Sequence, residues 1–262
     1  MKKILVLGHK GMLGNAVCKY FGSKNDYEVL AGTNRFGTDD FITELNNSDA
    51  DFIINCIGII PQKKPTVEEY KNINIDLPVF LETLGIKVVH PSTDCEFSGT
   101  IDKTKKYTKQ DVRDATDDYG NSKAVISKLI EDSFKNTKII RTSIIGHEQA
   151  SSFALLDWFL SQSGSVNGYS NHFWNGTTTL QWAKLCEEML NNWDNFPVLN
   201  QYGTEEIRSK YDLLNDIKNV YGKDINITPF ETPTSVNKCL LSDKAIPDIT
   251  TQLGELKTFY GK

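Results

Sequence analysis

Over the first half of the chain, short apolar runs alternate with stretches whose apolar residues recur at helical spacing. Residues 4–7, 28–31, 52–55, 87–90 and 138–141 are rich in Ile and Val and have the length of strands. Their runs are too continuous for a sheet with one wet face, so they predict a parallel sheet covered on both sides. Helices are predicted over 12–21, 67–84 and 123–134, and in the last Val125, Leu129, Ile130 and Phe134 form one apolar stripe. This βαβα alternation implies an α/β fold, a Rossmann-like doubly wound parallel sheet with right-handed crossovers. After Gly146 the pattern changes. Residues 161–179, rich in Ser, Asn, Gly and Thr, read as loop with short strands. Helices resume over 180–191, 210–221 and 249–259. The expected division is a sheet domain over 1–146 and a smaller C-terminal lobe over 147–262, some segments of which pack back on the sheet.

Composition narrows the classes. A chain of 262 residues, 39% hydrophobic and 24% charged, fills a core and is not a disordered type. Its net charge of −5 argues against nucleic-acid binding through phosphate neutralisation, while leaving room for a locally basic site. The N-terminal apolar run, 4–7, is shorter than a secretory core, and nothing approaches the ~20 apolar residues of a membrane helix. The five cysteines are scattered without a CxxC pair, so neither a metal site nor a disulfide framework is expected, and a reducing cytoplasm fits.

The first strand ends in Gly8-His9-Lys10-Gly11-Met12-Leu13-Gly14, which opens the first helix. Glycines there let the backbone approach a pyrophosphate whose charge the helix N-terminus stabilises. Gly8, Lys10, Gly11, Met12 and Leu13 are therefore candidate dinucleotide contacts. The second strand runs out through Gly32-Thr33-Asn34-Arg35 with no carboxylate at its tip. Arg35 offers a forked donor and Lys10 a second charge to a 2′-phosphate, so NADPH is expected over NADH, with Asn34 beside it. Asp39 and Asp40 suit either an adenine contact or a helix start. Cys56, Ile57 and Gly58 close another strand at the end where open α/β sheets bind ligands.

Tyr119 and Lys123 stand four apart near a predicted helix start and share a face. A phenol's ordinary pKa near 10 is lowered by a neighbouring ammonium, so the pair can give a proton to an oxygen formed from a carbonyl. Thr93, or less favourably Ser92, follows a strand and can donate to that oxygen.

Together these residues resemble the extended short-chain dehydrogenases/reductases, and within them the dTDP-4-dehydrorhamnose reductase family. Gly8-x-x-Gly11-x-x-Gly14 is similar to its cofactor loop and Tyr119-Gly120-Asn121-Ser122-Lys123 to its YGxxK. Residues 92–99, STDCEFSG, resemble its STDYVFxG, and Arg141-Thr142-Ser143 its RTS near the nicotinamide, making Ser143 a cofactor candidate. The resemblance implies that Thr93, Tyr119 and Lys123 are catalytic, that Asn74 helps set the site, and that hydride passes to C4 of a nucleoside-diphosphate 4-keto-6-deoxyhexose in surface polysaccharide biosynthesis. It also implies a nucleotide-sugar substrate, with a homodimer as a further expectation. Cys95 and Glu96 depart from the usual tyrosine and valine, so Asp94, Cys95 and Glu96 are read as substrate contacts that alter the sugar. His172, Trp174 and Asn175, in an unusual loop, suit sugar recognition; a solvated His172 and a core Trp174 are the alternatives. Two other functions stay open: a sugar-nucleotide epimerase or dehydratase, and a non-catalytic NADP-binding regulatory subunit.

Overall fold

A computed structural model describes residues 1–149 and 152–262. Strand β1 (Lys2–Leu7) leads into α1 (Met12–Gly22), β2 (Tyr27–Ala31), α2 (Asp39–Asn47) and β3 (Phe52–Asn55). A helical run passes from α3 (Val67–Tyr70) through a π-helical stretch, Lys71–Asp76, into α4 (Leu77–Glu82). Then come β4 (Lys87–Ser92), α5 (Asp118–Ser133), β5 (Thr137–Arg141), β6 (Ile144–Ile145), α6 (Leu155–Ser161), β7 (Ser165–Tyr169), β8 (His172–Trp174), β9 (Thr177–Thr178) and α7 (Thr179–Asn191). The chain ends through β10 (Leu199–Gln201), β11 (Arg208–Ser209), α8 (Lys210–Tyr221), β12 (Asn226–Phe230), β13 (Val236–Asn237) and α9 (Ile249–Tyr260).

The chain forms two compact units, neither of them continuous in sequence. The first comprises Met1–Ser92, Ala115–Ile140 and Ala183–Asn200; the second Thr93–Asp114, Arg141–Trp182 and Gln201–Lys262. The division is therefore not one cut near residue 146.

The main sheet has six strands in the order β10-β5-β4-β3-β1-β2. Strand β1 is parallel to both β2 and β3, and β3 to β4. From β1 the chain goes to one side and then returns to the other, so the topological switch lies between β1 and β3. Open α/β sheets bind ligands at such a point, beyond the carboxyl ends of the strands. Strands β3 and β5 are buried throughout, as strands covered on both faces are. Leu5, Leu7, Ile53 and Val88 of the sheet pack on Phe41 and Leu45 of α2 and Leu77 and Leu81 of α4. A separate cluster joins Ile126 and Ile130 of α5 to Ile139 and Leu199.

Two local expectations are corrected. Helix α5 starts at Asp118, before the predicted 123, because the Asp117 side chain caps it by accepting from the Gly120 amide. Its buried face runs through Ser122, Lys123, Ile126, Ser127 and Ile130, while Val125 is exposed. Polar Lys123 and Ser127 point inward because they have partners there, described below. Asp39 and Asp40 form the first turn of α2, and Thr38 is its N-cap, accepting from the Phe41 amide.

The second unit holds small sheets, β11-β8-β13, β12-β7 and β6-β9. The loop-like stretch after 161 is thus largely short strands whose partners come from elsewhere in the chain. Pro229 is accommodated in β12, which pairs only with β7 in its two-stranded sheet.

Candidate active site

In the first unit, the glycine loop lies at the switch between β1 and β3. Gly8 has φ +77°, and a Cβ there would sit 2.9 Å from the Cys56 carbonyl. A Cβ on Gly14 would lie 2.3 Å from the Gly8 oxygen, so this glycine is required for helix α1 to pass close to the loop. Gly11 differs. It is the N-cap of α1 in extended conformation, and a Cβ there would meet only the Gly8 oxygen, at 3.4 Å. No side chain caps α1 and its first turn has no acidic residue. Uncapped amides, the positive end of the helix dipole and an open approach fit a pyrophosphate. Met12 and Leu13, half-buried, begin the helix, and Lys10 is exposed beside it. His9, not singled out from sequence, ties the loop to the end of β2, its Nδ1 lying 2.8 Å from the Gly32 oxygen.

The tip of β2 carries a carboxylate after all. Glu44, from α2, accepts from the Thr33 amide and hydroxyl at 2.8 and 2.9 Å and from the Asn34 amide at 3.1 Å. Burial works against its charge, but these hydrogen bonds hold its pKa below the usual carboxylate value. Its oxygens are committed to the loop, while Asn34 and Arg35 are exposed. On the β3 side, Asn55 accepts from the Ile57 amide at 3.1 Å and shapes the turn holding Cys56 and Gly58. A Cβ on Gly58 would meet only Asn74 Oδ1, at 3.8 Å, so space remains above it. Burial pushes the Cys56 thiol well above its ordinary pKa, making it a wall and not a nucleophile.

Helix α5 presents Tyr119 in its first turn and Lys123 one turn later. Lys123 is 4% exposed, and its Nζ donates to the Pro91 carbonyl of β4 at 3.2 Å. Beneath it lies His90, which burial, aided by the Lys123 charge, keeps well below its ordinary pKa and hence neutral. Buried Asn74, in the π-helical stretch, donates to Ser122 Oγ at 3.0 Å and both accepts from and donates to the Ile59 backbone. The Tyr70 and Tyr119 rings lie 6.2 Å apart. These contacts carry the β3 turn, Asn74 and α5 as one packed arrangement, and π-helical turns recur at functional sites.

In the second unit, the Thr93 hydroxyl accepts from the Cys95 amide and donates to Asp94 Oδ1, each at 3.1 Å. Three expected substrate contacts are corrected. Glu96 is fully buried, and its Oε2 is shared by Arg113 Nε at 2.7 Å and Arg141 Nη2 at 2.6 Å. Arg141 also donates to Gln201 at 3.0 Å, so Glu96 is a structural counter-ion. Asn175 is spent on backbone: it donates to the Thr204 and Leu240 carbonyls and accepts from the Leu240 amide. Trp174 is only 2% exposed and belongs to the interior. His172 is half-buried with Nε2 2.8 Å from Thr232 Oγ1; burial, then the charge of Lys210, lowers its pKa. Ser143 also falls in this unit, where its carbonyl accepts from the Thr177 amide at 2.8 Å.

Lys210 was invisible in the sequence pattern. It opens α8, its Nζ stands 5.7 Å from the centre of the Trp174 ring, and its charge helps lower the pKa of His172.

Residues 1–240 match the family described as RmlD substrate binding domain. The chain belongs to that family. The likeness read from the glycine loop and YGxxK segment therefore holds at family level. The chain is 30% identical over 159 residues to the spore coat polysaccharide biosynthesis protein SpsK of Bacillus subtilis (strain 168), a match over 56% of this chain that spans 55% of that relative's length. Its fold is similar to a dTDP-4-dehydrorhamnose reductase from Clostridium acetobutylicum, with TM-score 0.81, 19% identity and coverage of 99% of this chain and 100% of that one. It is similar also to the Bacillus anthracis dTDP-4-dehydrorhamnose reductase in complex with NADP, with TM-score 0.82, 14% identity and coverage of 98% and 99%. The Rossmann-like α/β fold is that of these neighbours. Among the described residues no helix is long and apolar enough to cross a membrane.

Proposed function

We propose that this chain is an oxidoreductase of nucleotide sugars, an NADPH-dependent reductase of a nucleoside-diphosphate 4-keto-6-deoxyhexose that serves polysaccharide synthesis. One observation carries the reading: Lys123, almost fully buried, is held on the Pro91 carbonyl one helical turn from Tyr119, in the unit that contains the uncapped glycine loop. A buried ammonium placed for packing alone is unfavourable. Beside a phenol it stabilises the negative charge that appears there when the proton leaves.

The cofactor's diphosphate would rest on the Gly11–Leu13 amides, its 2′-phosphate on Arg35, and its nicotinamide ribose on Lys123. Bound NADPH would supply the hydride. Tyr119 gives its hydroxyl proton to the oxygen as the C4 carbonyl becomes an alcohol, and Lys123 stabilises the phenolate left behind. In the second unit the Thr93 hydroxyl proton rests on Asp94, so donation to a substrate oxygen would exchange one acceptor for another. The locked position of Glu96 favours reduction over elimination, since the carboxylate nearest in sequence to Thr93 and Asp94 for a dehydratase is fully buried and ion-paired to two arginines.

The test is NADPH oxidation by the purified chain with a panel of 4-keto sugar nucleotides. Tyr119→Phe is expected to lower turnover about 100-fold or more while NADPH affinity stays within about two-fold. Full activity in that variant defeats the assignment. Cofactor binding without turnover of any sugar supports the regulatory alternative.

A further inference from the structure

Glu44 reaches the tip of β2 from α2, and all the residues it meets there lie in the first unit. Its Oε1 accepts from the Thr33 amide at 2.8 Å and the Thr33 hydroxyl at 2.9 Å, and its Oε2 from the Asn34 amide at 3.1 Å. Two successive backbone N–H groups and a hydroxyl converging on one oxyanion form the kind of cradle that holds a phosphate. Thr33, Asn34 and Arg35 are exposed, so the cradle and the guanidinium that follows it are open to a ligand in solution. Burial opposes the Glu44 charge, but the same hydrogen bonds keep its pKa below the ordinary carboxylate value, so the group is charged at neutral pH.

NADPH and NADH differ only in the 2′-phosphate of the adenosine ribose, and open α/β sheets read that position at the tip of β2. Two anions cannot share the donors of Thr33 and Asn34, and a carboxylate left beside a phosphate repels it. An uncharged ribose hydroxyl meets neither penalty. Arg35 and Glu44 therefore act on a 2′-phosphate with opposite signs from one strand tip.

We propose that Glu44 is a cofactor-discriminating residue: its carboxylate occupies the Thr33–Asn34 cradle as an internal anion, which the 2′-phosphate of NADPH has to displace and the ribose of NADH does not. The proposal rests on the nicotinamide-dependent reading above and deepens it. The preference for NADPH is then a difference between two side chains, Arg35 attracting the phosphate and Glu44 opposing it. A carboxylate that served only to brace the loop has the reverse signature, a loss of affinity when it is removed.

The experiment measures binding of NADPH, NADH, adenosine 2′,5′-bisphosphate and 5′-AMP, by calorimetry, to the wild-type chain, Glu44→Gln and Glu44→Asp. Glu44→Gln is expected to bind NADPH and the bisphosphate about ten-fold more tightly, with NADH and 5′-AMP within about two-fold of wild type. Glu44→Asp, which keeps the charge on a shorter stem, is expected to fall between. A ratio of NADPH to NADH affinity that is unchanged in Glu44→Gln, or that moves toward NADH, overturns the proposal. A second measurement needs no variant: the amide resonances of Thr33 and Asn34 in the wild-type chain. Adenosine 2′,5′-bisphosphate is expected to shift them where 5′-AMP does not, and equal shifts with both overturn the proposal. If Glu44 discriminates in this way yet the chain reduces no 4-keto sugar, the reductase reading falls and the role of Glu44 stands. If the wild-type chain binds neither dinucleotide, both fall.

Discussion

At the scale of single residues, identity alone is a poor guide to whether a charged side chain is structural or functional. Glu96 and Asp94 are two residues apart beside the same strand end, yet one is sealed between Arg113 and Arg141 and the other, among the described residues, keeps an oxygen without a hydrogen-bond partner. Glu96→Gln leaves two guanidinium groups without a counter-charge, and removing one partner of a buried ion pair costs about 3–5 kcal/mol. A drop of this size in denaturant-measured stability is expected; a variant as stable as wild type would return Glu96 to the list of candidate substrate contacts. Arg35 is the opposite case, exposed at the β2 tip while the nearby Glu44 carboxylate is occupied by Thr33 and Asn34. Arg35→Ala is expected to weaken NADPH binding about ten-fold or more and NADH hardly at all, because only the former carries the 2′-phosphate. Equal loss for both cofactors would mean that the phosphate is read elsewhere. Residues 32–35 hold no carboxylate, and the one that reaches this tip, Glu44, comes from the next helix, which the local sequence does not show.

At the scale of elements, α5 shows how a helix is legible in period and only partly in which residues it buries. Its apolar residues predicted a helix, and Leu129, Ile130 and Phe134 of the predicted stripe do pack on the core, while Val125 lies in solvent. Lys123 and Ser127 turn inward because Pro91 and Ser92 of β4 accept from them, at 3.2 and 3.0 Å. The register that places Lys123 on β4 therefore puts Val125 in solvent. Ile126→Ala is expected to cost about 2–5 kcal/mol, and Val125→Ala no more than about 0.5. Thermal or chemical unfolding of the two variants checks this, and a large loss at Val125 would contradict the assigned face. Five of the six strands of the main sheet were readable within two residues at each end, because they are short Ile- and Val-rich runs; the sixth, β10 at Leu199–Gln201, was not read from the sequence. The short strands of the second unit were not, since β8 pairs with β11 and β13, and β7 with β12, all remote in sequence.

At the scale of the whole molecule, three buried or half-buried histidines bias stability toward neutral pH. His90 is driven well below its ordinary 6.5, and His147 and His172 are lowered too, in each case first by burial. Unfolded chains take up these protons near pH 6.5 while the folded protein does not, so protonation favours unfolding. Stability is thus expected to be full above about pH 6.5 and to fall as the pH drops below it toward the folded values, before the carboxylates titrate. A melting temperature that stays flat from about pH 8 to pH 5 would show that these groups titrate alike folded and unfolded. From the linear chain alone one could read the alternation of strands and helices, the glycine turn at the first of them and the one-turn spacing of Tyr119 and Lys123, because each depends on residues a few positions apart. Tertiary structure alone decided which carboxylates are locked away, how Asn74 braces α5, and that Lys210 stands near the Trp174 ring. Those outcomes depend on distant segments meeting in a dry interior, where an ion pair or a missing acceptor acquires its energy, and no local pattern records them.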